Sequence, residues 1–204
     1  MLASSTIVEN INSMRKSGLA SLVIFYCDLK KDEKRDQRGL LSSVLVQLSH
    51  QSDSYSQFLS DFYSEHANGL QQPSDEALVQ CLKDILEIPG QAPVYLIVDG
   101  LDECSNSSAI PTPREKVLKL LEGLVGSQLS NLRICVTSRP EVDIKEALEP
   151  LTFHSISLHD ERGQIEDINN YIRFYINTIS KVQRWKATEK ELVIDVLIRK
   201  SNGM

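Results

Sequence analysis

Strands in this chain are few, short and far apart. Residues 20–27 (ASLVIFYC) and 94–98 (VYLIV) are runs of apolar, β-branched and aromatic residues, the pattern of buried strands, and 132–136 (LRICV) reads as a third strand. Residues 153–158 (FHSISL) read as a fourth strand with weaker alternation. The stretches between them carry no tight hairpin signal and show helical periodicity instead, so the strands are expected to pair in parallel. Leu2, Ile7, Val8, Ile11 and Met14 mark a first amphipathic helix, ended by Gly18. Leu40, Leu41, Val44, Leu45 and Leu48 mark a second, and Tyr55, Phe58, Leu59, Phe62 and Tyr63 a third. Leu78, Val79, Leu82, Ile85 and Leu86 mark a helix closed by Pro89-Gly90. Thr112, Pro113 and Glu115 form a capping box that opens the next, and Ile144, Ala147 and Leu148 a short one. Residues 28–38 are dense in charge and read as a solvated loop.

The expectation is an α/β fold with three layers around a mainly parallel sheet. Two helices with no strand after them close the chain. One carries Ile165, Ile168, Tyr171, Ile172, Tyr175, Ile176 and Ile179, a stripe read as core; the other opens with a capping box from Thr188 to Glu191. Residues 1–160 thus form a core domain, and 161–204 begin a helical subdomain.

Composition narrows the partners. In 204 residues, 28 acids face 22 Lys and Arg, a net charge of -6, which gives no electrostatic drive toward nucleic acid or anionic membrane. The longest nearly apolar run, residues 18–27, is half the roughly 20 residues of a spanning helix, and the N-terminus lacks the pattern of a signal peptide. Four cysteines, at 27, 81, 104 and 135, make no CxxC pair and no metal-ligand spacing, so they read as reduced, mostly buried thiols in a cytoplasmic protein. His50, His66, His154 and His159 have no partner at ligand spacing, and Trp185 between two cations suggests an interface anchor.

In parallel α/β sheets, ligands bind at the carboxyl ends of the strands. After VYLIV come Asp99, Asp102 and Glu103, three carboxylates in five residues. An acid ending a buried strand suits Mg²⁺ beside nucleotide phosphates, and a second can polarise a water. After LRICV come Thr137, Ser138 and Arg139, hydroxyls and a guanidinium suited to a γ-phosphate. Asp-Gly is also an ordinary turn, and Arg139 alone could simply pair with Glu141 or Asp143.

VYLIVDGLDEC (94–104) resembles the extended Walker B motif of the NACHT class of STAND P-loop NTPases, and LRICVTSRPE (132–141) resembles their sensor motif. Residues 25–48 (FYCDLKKDEKRDQRGLLSSVLVQL) are similar to the second strand and following helix of nephrocystin-3-like N-terminal domains. The resemblance implies a nucleotide-dependent oligomerisation switch that binds ATP or GTP with Mg²⁺. Asp99 would be the Mg²⁺ residue, Asp102 and Glu103 the acids near the attacking water, and Arg139 the γ-phosphate sensor beside Thr137 and Ser138. The chain departs from that pattern in one respect: it contains no Gly-Lys dipeptide, hence no GxxxxGK[ST] loop. By resemblance that loop and its strand belong just before Met1, so a P-loop NTPase domain truncated there, and weak or inactive as an enzyme, is expected. The strands at 132–137 and 153–158 would then each present an open edge. Two other readings remain open: an interaction or decoy module that binds protein, or a second copy, through that edge without nucleotide, and a metal-dependent phosphoesterase built on Asp99, Asp102 and Glu103.

Overall fold

The computed structural model describes residues 2–28, 36–106, 110–157, 162–179 and 182–201. It divides into two compact units, Met1–Thr152 and Phe153–Met204.

The first unit is an α/β sandwich around a three-stranded parallel sheet in the order β1 (Ser21–Tyr26), β2 (Val94–Asp99), β3 (Leu132–Val136). Ser21 pairs with Val94 and Val94 with Leu132, so the three strands end together. Alternation along each strand divides the core. On one face helix α1 (Leu2–Lys16) sets Val8, Ile11 and Met14 against Leu22, Ile24, Tyr95, Ile97 and Cys135. The opposite face, with Val23, Phe25, Leu96 and Val98, is buried under α2 (Gln37–Ser49), α4 (Asp75–Glu87) and α5 (Pro113–Gly126). Helix α3 (Asp53–Glu65) contributes the buried Tyr55, and the short α6 (Val142–Leu148) contributes Ile144. The helix starts follow their caps: Asp36 accepts the Gly39 N–H at 2.8 Å, Ser74 accepts that of Ala77 at 3.2 Å, and Thr112 and Glu115 close the box at the head of α5.

The two edges of the sheet differ. At β1, Gln47 of α2 and Gln51, two residues past its end, act as a surrogate strand. The Gln51 carboxamide accepts the Leu22 N–H at 2.9 Å and donates to the Leu22 carbonyl at 2.7 Å, while Gln47 does the same for Ile24 at 3.0 and 2.9 Å. The fit is geometric: four residues of helix rise about 6.0 Å and two of strand about 6.6 Å, so side chains at i and i+4 meet alternate outward residues of the strand. At β3 no such cover exists among the described residues. Thr137 donates to the Val98 carbonyl and Asn131 accepts from Val94, which turns the odd-numbered residues toward β2 and the N–H and C=O of Ile134 and Val136 outward.

The second unit pairs α7 (Arg162–Thr178) with α8 (Ala187–Ser201), joined by an ion pair of Arg173 with Glu191 at 3.1 Å. Three expectations are corrected here. Residues 153–157 form no strand, with Phe153 95 % and Ile156 74 % exposed. A period of two puts these two side chains on opposite faces, so the segment offers no apolar face to hold it in a sheet. The capping carboxylate of α8 is Glu189, which accepts the Lys186 N–H at 2.8 Å; the helix begins at Ala187, ahead of Thr188. The stripe on α7 also splits: Ile176 is buried, whereas Tyr171 and Tyr175 are exposed and stack on each other. No helix among the described residues is long and apolar enough to cross a membrane.

Candidate functional site

The site gathers where the strands end together. Asp99 is the last residue of β2, and its Oδ1 accepts the Thr137 hydroxyl at 2.6 Å. Thr137 in turn accepts the Gly100 N–H at Oγ1 (3.0 Å), donates its own N–H to the Val98 carbonyl, and accepts the Leu101 N–H (2.9 Å each). One threonine therefore fastens the loop after β3 to the turn after β2. Gly100 sits at φ +72°, where an L side chain is strained, and this lets the chain fold back at once into the short 3₁₀ turn Leu101–Glu103.

Asp102 faces the same loop. Its side chain is only 10 % exposed; Oδ1 accepts the Arg139 N–H at 3.0 Å and Oδ2 lies 3.4 Å from Arg139 Nε. The Arg139 side chain is 82 % exposed, so the ion pair itself contributes little and the backbone bond is what holds the loop. Glu103 and Ser138 are exposed. Of the six residues expected at the site, the structure joins Asp99 with Thr137 and Asp102 with Arg139, and leaves Glu103 and Ser138 to solvent.

Sequence reasoning missed Arg114. It is buried at the first turn of α5 and ties together two segments: Nη2 donates to the Asp102 carbonyl at 2.5 Å and Nε to the Cys104 carbonyl at 3.3 Å in the turn after β2, and Nη1 to Glu141 and, at 3.2 Å, to Asp143 at the head of α6. Burial opposes its charge, but the two carboxylates more than offset this and raise its pKa above the ordinary value. The sequence did carry a clue, since Arg114 shares the face of Val117, Leu118 and Leu121, all buried.

Chemically, the strand ends offer one half-buried carboxylate with Oδ2 unpartnered among the described residues (Asp99), an adjacent hydroxyl and an exposed guanidinium. No cluster of three or more His, Cys, Asp or Glu among the described residues is arranged to hold a metal. A single carboxylate still fits Mg²⁺, which keeps several waters and takes its remaining oxygens from phosphates. His50 and His66 direct Nδ1 to backbone carbonyls one turn back in their own helices.

The family model for nephrocystin 3, N-terminal, matches residues 1–139. The chain belongs to the nephrocystin 3 N-terminal family. The match takes in all three strands, Arg114 and each of the six expected site residues, the last of them Arg139. No curated protein and no solved structure matches the chain.

Proposed function

We propose that this nephrocystin-3-type domain is the metal- and γ-phosphate-facing part of a nucleotide-binding switch of the NACHT class of P-loop NTPases, working in the cytoplasm. What supports the reading is one observation, the direct bond between Asp99 at the end of β2 and Thr137 after β3, with Arg139 fastened beside them by Asp102. Asp99 would hold Mg²⁺, which supplies charge neutralisation for the phosphates of ATP or GTP. Ser138 and Arg139 donate to phosphate oxygens, Thr137 gives its hydroxyl to Asp99 and so fixes that carboxylate beside them, and Glu103, with Asp102, orients water. With no Gly-Lys dipeptide on the chain, binding to these residues alone is weak. The test is an NMR titration of the 204-residue chain with Mg²⁺ and ATP or GTP. Expected are Mg²⁺-dependent shifts at the amides of 99–103 and 137–139 that vanish in Asp99→Asn. No shift there at about 10 mM nucleotide, a binding free energy of only about −3 kcal/mol, refutes the reading.

A second reading, contact with protein rather than nucleotide, draws on the open β3 edge, where the outward groups of Ile134 and Val136 suit an added strand, including one from a second copy. Concentration-dependent self-association that is lost in Ile134→Pro, which removes an outward N–H and no ladder bond, supports it. A chain that stays monomeric at every concentration refutes the second-copy form.

A further inference from the structure

Cys27 lies one residue beyond β1, and Cys104 closes the turn after β2. Separated by 77 positions in the sequence, their Sγ atoms stand 3.0 Å apart, with Cys27 6 % exposed and Cys104 fully buried. The backbone holds both ends of this contact. The Cys27 N–H donates to the Asp99 carbonyl at 2.9 Å, the Cys104 N–H donates to Leu101 at 3.0 Å, and the Cys104 carbonyl accepts from Arg114. A disulfide requires about 2.05 Å between sulfurs, so closing the bond takes a movement of about 1 Å by side chains that already meet.

We propose that Cys27 and Cys104 form a redox-active dithiol that a small peroxide converts to a disulfide, tying the end of β1 to the acidic turn Leu101–Glu103. The other two cysteines lie apart from this pair. Cys81 belongs to α4, where burial pushes its thiol up to about 12, and Cys135 sits on the α1 face of the sheet, its pKa raised by burial and then by Asp99. Within the pair, the hydrogen bond shared with Cys27 lowers the pKa of Cys104, and the charge of Arg114 lowers it further against the opposing effect of burial. Cys104 is thus the first to ionise. Its thiolate attacks one oxygen of hydrogen peroxide, the O–O bond breaks, and hydroxide leaves to become water with the proton the thiol gave up. The Cys27 sulfur then displaces hydroxide from the Cys104 sulfenic acid; the S–O bond breaks as the S–S bond forms, and the Cys27 proton completes a second water. Two thiols and one peroxide give one disulfide and two waters, with two electrons passing from sulfur to oxygen. Access comes through opening of the three-residue turn.

The proposal is independent of nucleotide binding, and so is its test. The 204-residue chain is treated with hydrogen peroxide, quenched with catalase, alkylated, and mapped by non-reducing digestion and mass spectrometry. Expected are a mass lower by two hydrogens, a peptide linking Cys27 to Cys104, alkylation only at Cys81 and Cys135, and recovery of all four thiols with dithiothreitol. Cys27→Ser and Cys104→Ser each abolish the link. Four alkylatable thiols after peroxide, a link to Cys81 or Cys135, or oxidation that stops at a sulfinic acid overturns the proposal. The mapping of the unsubstituted chain decides even where a serine variant fails to fold.

Discussion

Replacing Arg114 by methionine keeps most of the side-chain volume and removes every bond it makes, so its cost can be worked from the partners left behind. The carbonyls of Asp102 and Cys104 lose a donor inside the fold, at about 1–3 kcal/mol each. Glu141 and Asp143 are 43 % and 40 % exposed and rehydrate, so their pairings add less than about 1 kcal/mol each. Relief of a buried charge works the other way. The net loss is about 3 kcal/mol, which lowers the melting midpoint of a chain of this size by about 6–12 °C. Thermal denaturation followed by circular dichroism reads the shift, and amide exchange locates it. Faster exchange at Leu101, Cys104 and Arg139, with β1 unaffected, is the expected pattern. Arg114→Lys keeps the charge but cannot reach every acceptor at once, and it should fall between the two. A midpoint within about 2 °C of the original, with exchange unchanged at the turn, refutes the view that Arg114 holds the strand-end loops together.

Substituting leucine for Gln47 leaves the Ile24 N–H and C=O without partners and should cost about 2 kcal/mol by urea unfolding. Adding Gln51→Leu opens the whole β1 edge, so sedimentation should reveal more self-association than the parent shows; a double variant that associates no more than the parent would refute the surrogate-strand role. The pH dependence follows from Cys81. Its thiol is held protonated up to about 12 in the fold and titrates near 9 in the unfolded chain, so the contribution is complete below pH 9. Between about 9 and 12 the unfolded state binds fewer protons, and stability falls by up to about 1.4 kcal/mol per pH unit. Urea unfolding across that range in the parent and in Cys81→Ala measures the difference; identical slopes would exclude the thiol as its source.

Strands buried on both faces leave apolar runs, which is why residues 20–27 and 94–98 carried β1 and β2 almost to the residue, and residues 132–136, half-buried and interrupted by the exposed Arg133, still carried β3. Caps made the starts of helices legible in the same way, with Thr112 and Glu115 the clearest case. The same reasoning failed at 153–157 and at Thr188 for a shared cause. A short pattern of propensity fits more than one conformation, and tertiary partners choose: Phe153 and Ile156 find no common face, and Glu189 closes the α8 cap two residues early while Glu191 meets Arg173.

At the strand ends the sequence set Asp102 and Glu103 in one role beside Asp99, and the fold gives each of the three acids different partners. Asp102 spends both oxygens on Arg139, Asp99 spends one on Thr137, and Glu103 spends none on the loop after β3. These differences depend on residues 37 and 38 positions away, a distance at which no local pattern speaks. Arg114, the glutamine pair on β1 and the Cys27–Cys104 contact escape sequence reading for the same reason, each being a polar group whose partner lies on another element. Asp102→Ala therefore removes the acceptor of the Arg139 N–H and loosens the loop. Asp99→Asn keeps the bond from Thr137 through its amide oxygen and removes only charge, so any cation dependence of the site has to disappear with Asp99 while the loop after β3 stays in place.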